Sequence, residues 1–153
     1  MFSLEGRKAL VVGVANDQSI AWGIARALKA QGADLAITYL NDKAERHVRP
    51  LAEELGASIV APLDVADDDQ LDALFDTIAA HWGRLDTLVH SIAFCPREDL
   101  HGRVTDCSRA GFGIAMDISV HSFVRMVRKA ERLMETGGTA MTVTFYGAEK
   151  VVE

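Results

Sequence analysis

The chain has 153 residues, 49% hydrophobic and 25% charged, with a formal net charge of −6. This length fits one domain with a substantial core, so we expect residues 1–153 to form a single domain. The acidic balance, with no Lys/Arg cluster, argues against a nucleic-acid-binding protein. No apolar run is long enough to span a membrane, and the N-terminus lacks a secretory signal pattern.

The two cysteines, Cys95 and Cys107, belong to no Cys-x-x-Cys or Cys/His ligand spacing. We therefore expect no metal site. Isolated cysteines in such a chain are typical of reduced thiols, which predicts a cytoplasmic protein.

The first elements in the chain are a strand, a glycine turn and a helix. Lys8–Val12 has the apolar run of a buried parallel strand, and an apolar four-residue spacing that starts at Ile20 indicates a helix. In between, Gly13 permits a tight turn, Ser19 occupies the helix-cap position, and Gly23 would let the helix pack close to the strand or the ligand. This arrangement aims backbone N–H groups at one point, as phosphate binding requires. The middle glycine of the usual dinucleotide motif is missing, so ordinary α/β packing stays an alternative.

Strands and helices alternate through the rest of the chain. Further strands are predicted at residues 33–39, 58–63, 85–90 and 139–146. Helices are predicted at residues 41–55, 67–82 and 108–135. The alternation predicts an α/β, Rossmann-like, doubly wound parallel sheet with right-handed crossovers.

The carboxyl ends of the strands form the predicted site, because ligands of such sheets bind there. The residues at those ends are Gly13, Tyr39-Leu40, Asp64-Val65, Ser91-Ile92 and Tyr146. The five histidines have no convergent spacing, and we expect surface or core positions for them.

Seven short segments, in order along the chain, carry a family resemblance. They are Gly13-Val-Ala with Ser19-Ile20-Ala21 and Gly23, Asn41-Asp42-Lys43, Asp64-Val65, His90 to Phe94, Asp117-Ile118-Ser119, Ser122-Phe123 and Tyr146 to Glu149. Together they resemble the bacterial enoyl-acyl-carrier-protein reductases of type II fatty acid biosynthesis, within the short-chain dehydrogenase/reductase superfamily. The resemblance runs over the whole chain.

The resemblance implies an NADH cofactor and assigns its contacts. They are Gly13, Ser19 and Ile20 at the pyrophosphate, Leu40 near the adenosine ribose, Asp64 and Val65 at the adenine, and Ile92 below the adenosine. A turn or cap role is the alternative for Asp64. No basic residue directly follows the second strand, and Lys43 and Arg46 lie further into the helix, which favours NADH over NADPH.

The resemblance also implies hydride transfer to a trans-2-enoyl thioester carried by acyl carrier protein. Tyr146 would be catalytic, with its phenol stabilising the charge on the thioester oxygen, and Cys95 would lie beside the acyl substrate. Tyr146 with Lys150 also fits the Tyr-x-x-x-Lys dyad of the wider superfamily, and a core aromatic at a strand end is a further alternative.

The family has a seven-stranded sheet and forms homotetramers, whereas five strands are predicted here. We therefore expect the sequence to be the N-terminal part of such an enzyme, poorly stable and nearly inactive alone. A non-catalytic module that binds NADH or pairs with a subunit is the alternative, and another short-chain reductase is a third.

Overall fold

The computed structural model describes residues 3–151. Five parallel strands form one sheet in the order β3-β2-β1-β4-β5. Their bounds are Lys8–Val12 (β1), Asp34–Tyr39 (β2), Ile59–Pro62 (β3), Thr87–His90 (β4) and Thr139–Thr142 (β5). The strand order reverses between β1 and β4. The predicted Rossmann-like parallel sheet is confirmed.

Helices connect the strands. The α-helices are Ile20–Ala30 (α1), Asp42–Glu54 (α2), Asp68–Trp82 (α3), Arg109–Met116 (α4) and Ser122–Ala130 (α5). A π turn, Asp117–His121, joins α4 to α5, and short 3-10 turns lie at Val104–Asp106, Glu131–Leu133 and Tyr146–Ala148.

Side-chain caps fix where the first three helices begin. Ser19 accepts from the N–H of Trp22 at 3.4 Å, and Asn41 accepts from the N–H of Ala44 at 3.0 Å. Asp67 accepts from two N–H groups at the start of α3, and these bonds, the one from Gln70 foremost, lower the pKa of its carboxyl. The run of acids at 67–69 therefore begins with a helix cap.

Both faces of the sheet are buried, which explains why the strands read as continuous apolar runs. Leu10 and Val12 pack on one face against α3 and α5, while Ala9 and Val11 pack on the other against α1 and α2. In the described part of the chain, no helix is long and apolar enough to cross a membrane.

The sequence placed the end of β5 too late. The strand stops at Thr142, and Tyr146 begins a 3-10 turn instead of ending the strand. All four residues of β5 are exposed because it pairs only with β4 among residues 3–151 and lies at the edge of the sheet.

The last predicted helix, at 108–135, is a composite. The π turn adds a residue to one turn and so changes which side chains face the core. Phe112 and Met116 are exposed, whereas Phe123, Val127 and Met134 pack partly against the core.

Candidate functional site

The carboxyl ends of four strands surround one cavity of about 480 Å³. Its walls come from the segments that follow β1, β2, β3 and β4, and from the π turn. Five of the seven cofactor contacts predicted from the resemblance line it: Gly13, Leu40, Asp64, Val65 and Ile92. The topology therefore brings together positions that are far apart in the sequence.

Gly13 is required for the loops after β1 and β4 to approach each other. Its φ is 104°, in the region that favours glycine, and a Cβ there would lie 2.0 Å from the carbonyl oxygen of Ser91. The turn was predicted, but this contact with Ser91 was not. Gly23 has no such role toward the protein, since a Cβ on it would meet nothing within 4 Å, so the predicted close packing on the strand is wrong, and close approach to a ligand stays a prediction.

The start of α1 lies next to this turn, but its side chains are outside the cavity lining. The hydroxyl of Ser19 donates to the carbonyl of Asn16 at 2.7 Å, and the Ile20 side chain is 63% exposed. Among residues 3–151, the N–H groups of Ile20 and Ala21 have no hydrogen-bond acceptor. The helix start therefore offers backbone donors more readily than the Ser19 hydroxyl.

The loop after β3 presents a hydrogen-bond acceptor and a donor side by side. The Asp64 carboxylate accepts from the Ala66 N–H at 2.9 Å through one oxygen, as its predicted turn role requires, and still lines the cavity. In the described residues the N–H of Val65 has no acceptor. Asp64 can therefore be both a turn residue and a contact to the adenine, because a carboxylate can accept about four hydrogen bonds.

A buried histidine ends β4, directly before Ser91 of the cavity wall. His90 is fully buried, with Nδ1 3.0 Å from the Thr142 hydroxyl and Nε2 2.8 Å from the Ser122 hydroxyl. Burial lowers the pKa of this imidazole below its usual 6.5. His90 is thus a core residue, as expected, and joins β4 to β5 and α5.

The π turn supplies site residues whose roles the sequence did not predict. Ser119 donates to the carbonyl of Phe94 at 3.1 Å and accepts from its N–H at 2.9 Å, which fixes the loop after β4. Ile118 lines the cavity beside Phe94. A regular helix predicts neither contact, because only the π turn rotates these residues toward the loop.

Thr38 and Ala44 were also missed as lining residues. Thr38 is a polar residue in an otherwise apolar, buried stretch of β2, and this is the signal that could have identified it.

A second, more open depression of about 660 Å³ borders the cavity and shares Ala66 and Ile118 with it. It is lined mainly by α4, for example at Arg109 and Gly113, and no strand end contributes to it. Its larger volume therefore does not make it the better ligand site.

Tyr146 and Cys95 lie outside the cavity lining. Tyr146 is 58% exposed, so the core-aromatic alternative is wrong. The Lys150 ammonium lies 5.8 Å from the ring centre of Tyr146, but the intervening backbone is a 3-10 turn and not the α-helix on which the Tyr-x-x-x-Lys dyad depends. Within residues 3–151, no cluster of three or more His, Cys, Asp or Glu could hold a metal ion.

Comparison with known proteins identifies the family to which the chain belongs. The sequence model of a family described as enoyl-(acyl carrier protein) reductase matches residues 13–153. The enoyl-acyl-carrier-protein reductase (NADH) 1 of Rhizobium meliloti is 46% identical over 97% of this chain and 55% of its own length.

Solved structures agree with this assignment. The enoyl-acyl-carrier-protein reductase of Anaplasma phagocytophilum, in complex with NAD, superposes with a TM-score of 0.93 at 48% identity, over 97% of this chain and 57% of that one. The Bacillus cereus enoyl-acyl carrier protein reductase, with NADP+ and indole naphthyridinone, superposes with a TM-score of 0.94 at 45% identity, over 99% of this chain and 60% of that one. The chain thus spans little more than half the length of these relatives. On the matched sequence, the fold and the arrangement of strand ends, the chain belongs to the enoyl-(acyl carrier protein) reductase family.

Proposed function

We propose that this chain forms the cofactor-binding part of an NADH-dependent enoyl-acyl-carrier-protein reductase. The reaction is hydride transfer to a trans-2-enoyl thioester carried by acyl carrier protein. Residues 1–153 then act as one NAD-binding domain of a cytoplasmic enzyme. The homotetramer expected from the resemblance is part of the same proposal.

One observation supports this most directly: Asp64 and Val65 both line the cavity, and among residues 3–151 the Val65 N–H has no hydrogen-bond acceptor. The edge of adenine carries an amino donor beside a ring-nitrogen acceptor, which this pair complements. Apolar walls at Leu40 and Ile92 suit the flat faces of the base and ribose.

The pyrophosphate fits the start of α1. The N–H groups of Ile20 and Ala21, which have no acceptor within residues 3–151, and the positive end of the helix dipole favour an anion there. A direct bond from Ser19 would require its hydroxyl to turn away from Asn16.

Specificity for NADH over NADPH follows from the residues near the ribose. Leu40 is 55% exposed and carries no charge, and Arg49 on α2 is paired with Glu45. A 2′-phosphate would thus depend on Lys43 and Arg46, which lie beyond the position where a phosphate partner is usual.

NADH supplies the hydride when it is bound. Tyr146 is the proposed catalytic residue, whose phenol would donate a hydrogen bond to the thioester oxygen as negative charge develops there. Cys95 would contact the acyl chain. The exposure of Tyr146 leaves its hydroxyl free to meet a substrate.

The test is a titration of the 153-residue chain with NADH and NADPH, followed by addition of a trans-2-enoyl thioester and measurement of NADH consumption. Tighter binding of NADH than of NADPH, with little turnover, supports the proposal, since this chain alone is expected to be nearly inactive. The non-catalytic NADH-binding alternative predicts the same binding with no turnover at all. Absence of NADH binding contradicts both.

A further inference from the structure

Arg125 connects α5 to the loop that borders the cofactor cavity. Its Nη2 donates to the carbonyl of Val65 at 2.7 Å, and its Nη1 donates to Asp117 Oδ1 at 3.1 Å. Its Nε lies 3.8 Å from Asp68 Oδ1, and 20% of its side chain is exposed. One guanidinium therefore joins α5, the π turn and the start of α3.

The contact with Val65 fixes a peptide group beside the proposed adenine site. The Val65–Ala66 peptide has its carbonyl held by Arg125 and its N–H held by the Asp64 carboxylate. Rotation of this peptide would break both bonds. It would also free the Asp64 carboxylate, which belongs to a residue that lines the cavity, from its bond to the Ala66 N–H.

Electrostatics give Arg125 a second effect on this loop. Asp64 lines the cavity that we assign to an anionic cofactor, and Asp68 and Asp117 bring two further carboxylates to the Arg125 guanidinium that holds the Val65 carbonyl. Arg125 forms ion pairs with two of them. A positive charge at this position offsets the repulsion that they would exert on a dinucleotide.

We propose that Arg125 is a positioning residue of the cofactor cavity, which holds the Asp64–Ala66 loop in the conformation that directs the Asp64 carboxylate and the Val65 N–H to the ligand. The identity of the ligand rests on the proposed function. No sequence motif marks Arg125, because its role depends on the distant loop to which it bonds.

The experiment compares Arg125→Met with Arg128→Met in the 153-residue chain. Methionine keeps much of the length of the arginine stem but donates no hydrogen bond, and Arg128 is an exposed arginine on the same helix. Three quantities are measured: the Kd for NADH, amide hydrogen exchange at Ala66 and Asp67, and thermal unfolding. Arg125→Lys is included as the conservative variant, which retains the charge and one donor.

We expect Arg125→Met to raise the Kd for NADH about tenfold, as loss of a charge-assisted hydrogen bond implies, and to speed exchange at Ala66 and Asp67. Arg125→Lys should recover part of both effects, and Arg128→Met should change neither. The Kd for nicotinamide mononucleotide, which has no adenine, should change less than that for NADH. A uniform loss of exchange protection across β1 and β4 would instead indicate a merely structural role and overturn the proposal.

Unchanged NADH binding and unchanged exchange in Arg125→Met would also overturn it. If the unsubstituted chain does not bind NADH, the proposed function fails. Arg125 is then judged by exchange at Ala66 and Asp67 alone, since the loop is present without ligand. If Arg125→Met does not fold, the same comparison is made with Arg125→Lys.

Discussion

His90 and Ser122 fix each other's hydrogen-bonding state inside the core. The Ser122 hydroxyl donates its proton to the carbonyl of Ile118 at 2.6 Å, so it must accept from Nε2 of His90 at 2.8 Å. Nε2 therefore carries the proton, and Nδ1 accepts from Thr142. The imidazole is neutral and has both nitrogens satisfied.

This arrangement predicts a loss of stability in mild acid. Because the folded-state pKa of His90 is depressed below 6.5, the unfolded chain takes up the proton first. The stabilisation that the neutral His90 side chain contributes is fully present above about pH 6.5. This stabilisation falls as the pH drops from there through the folded-state pKa, by at most about 1.4 kcal/mol per pH unit.

Urea unfolding at a series of pH values checks this prediction. His90→Gln, which does not titrate, should be less stable at neutral pH but should lose this part of the pH dependence. His47→Gln, at an exposed site, should keep the pH dependence that His90 contributes. An identical pH profile for the unsubstituted chain and His90→Gln would contradict the assignment.

Gly13, in the first turn, and Gly23, inside α1, should respond oppositely to alanine. Gly13→Ala should lower the free energy of unfolding by at least about 2 kcal/mol, because the new methyl group would collide with the Ser91 carbonyl at a positive φ. Gly23→Ala should raise it by about 0.5–1 kcal/mol, because the site is helical with open space around it. Urea denaturation measures both, and an equal effect of the two substitutions would be inconsistent with the geometry.

Asp64→Asn should change which base the cavity prefers. The carboxylate can only accept, so the unsubstituted chain should bind NADH more tightly than nicotinamide hypoxanthine dinucleotide, whose base has a carbonyl in place of the amino group. An asparagine amide can donate to that carbonyl, so Asp64→Asn should reduce or reverse the preference. Isothermal titration gives the Kd for each of the two nucleotides, and the ratio of these Kd values is compared between the unsubstituted chain and Asp64→Asn.

Asp69→Asn is the control for that experiment, since it alters an exposed carboxylate in the first turn of α3. It should leave the ratio unchanged. If Asp64→Asn also left the ratio unchanged, Asp64 would have only its role in the turn.

Asp86 should stabilise the fold down to low pH. Burial raises the pKa of its carboxyl, but the bonds from the Lys8 N–H and Arg7, with the charge of Arg84, outweigh this and leave the pKa below 3.8. The stabilisation is therefore complete above about pH 3.8 and is lost as the pH falls through the folded-state pKa.

Asp86→Asn should cost about 1–3 kcal/mol at neutral pH, because the side chain is 11% exposed and its donors would lose their charged acceptor. The exposed Asp76→Asn should be nearly neutral. Thermal unfolding of the two variants at neutral and acid pH tests the prediction.

The sequence predicted the alternating elements because apolar runs and helix caps are local signals. It also identified Gly13, Asp64 and Ile92 as site residues, since strand ends converge in any parallel sheet. The contacts of Ser119 and Arg125 could not be predicted, because each reaches a loop distant in sequence. The end of β5 was predicted too late because the β-branched and aromatic residues typical of a strand continue to Tyr146, after the last pairing with β4 at Thr142.

The π turn between α4 and α5 has a consequence for the helical surface. One additional residue in a turn rotates everything before it by about 100° relative to everything after it. Phe112 and Phe123 would share a stripe on an unbroken helix, yet the first faces outward and the second faces the sheet. A one-residue deletion in this turn would bring the two halves back into phase. It would direct Phe112 toward the face of the sheet against which Phe123 already packs.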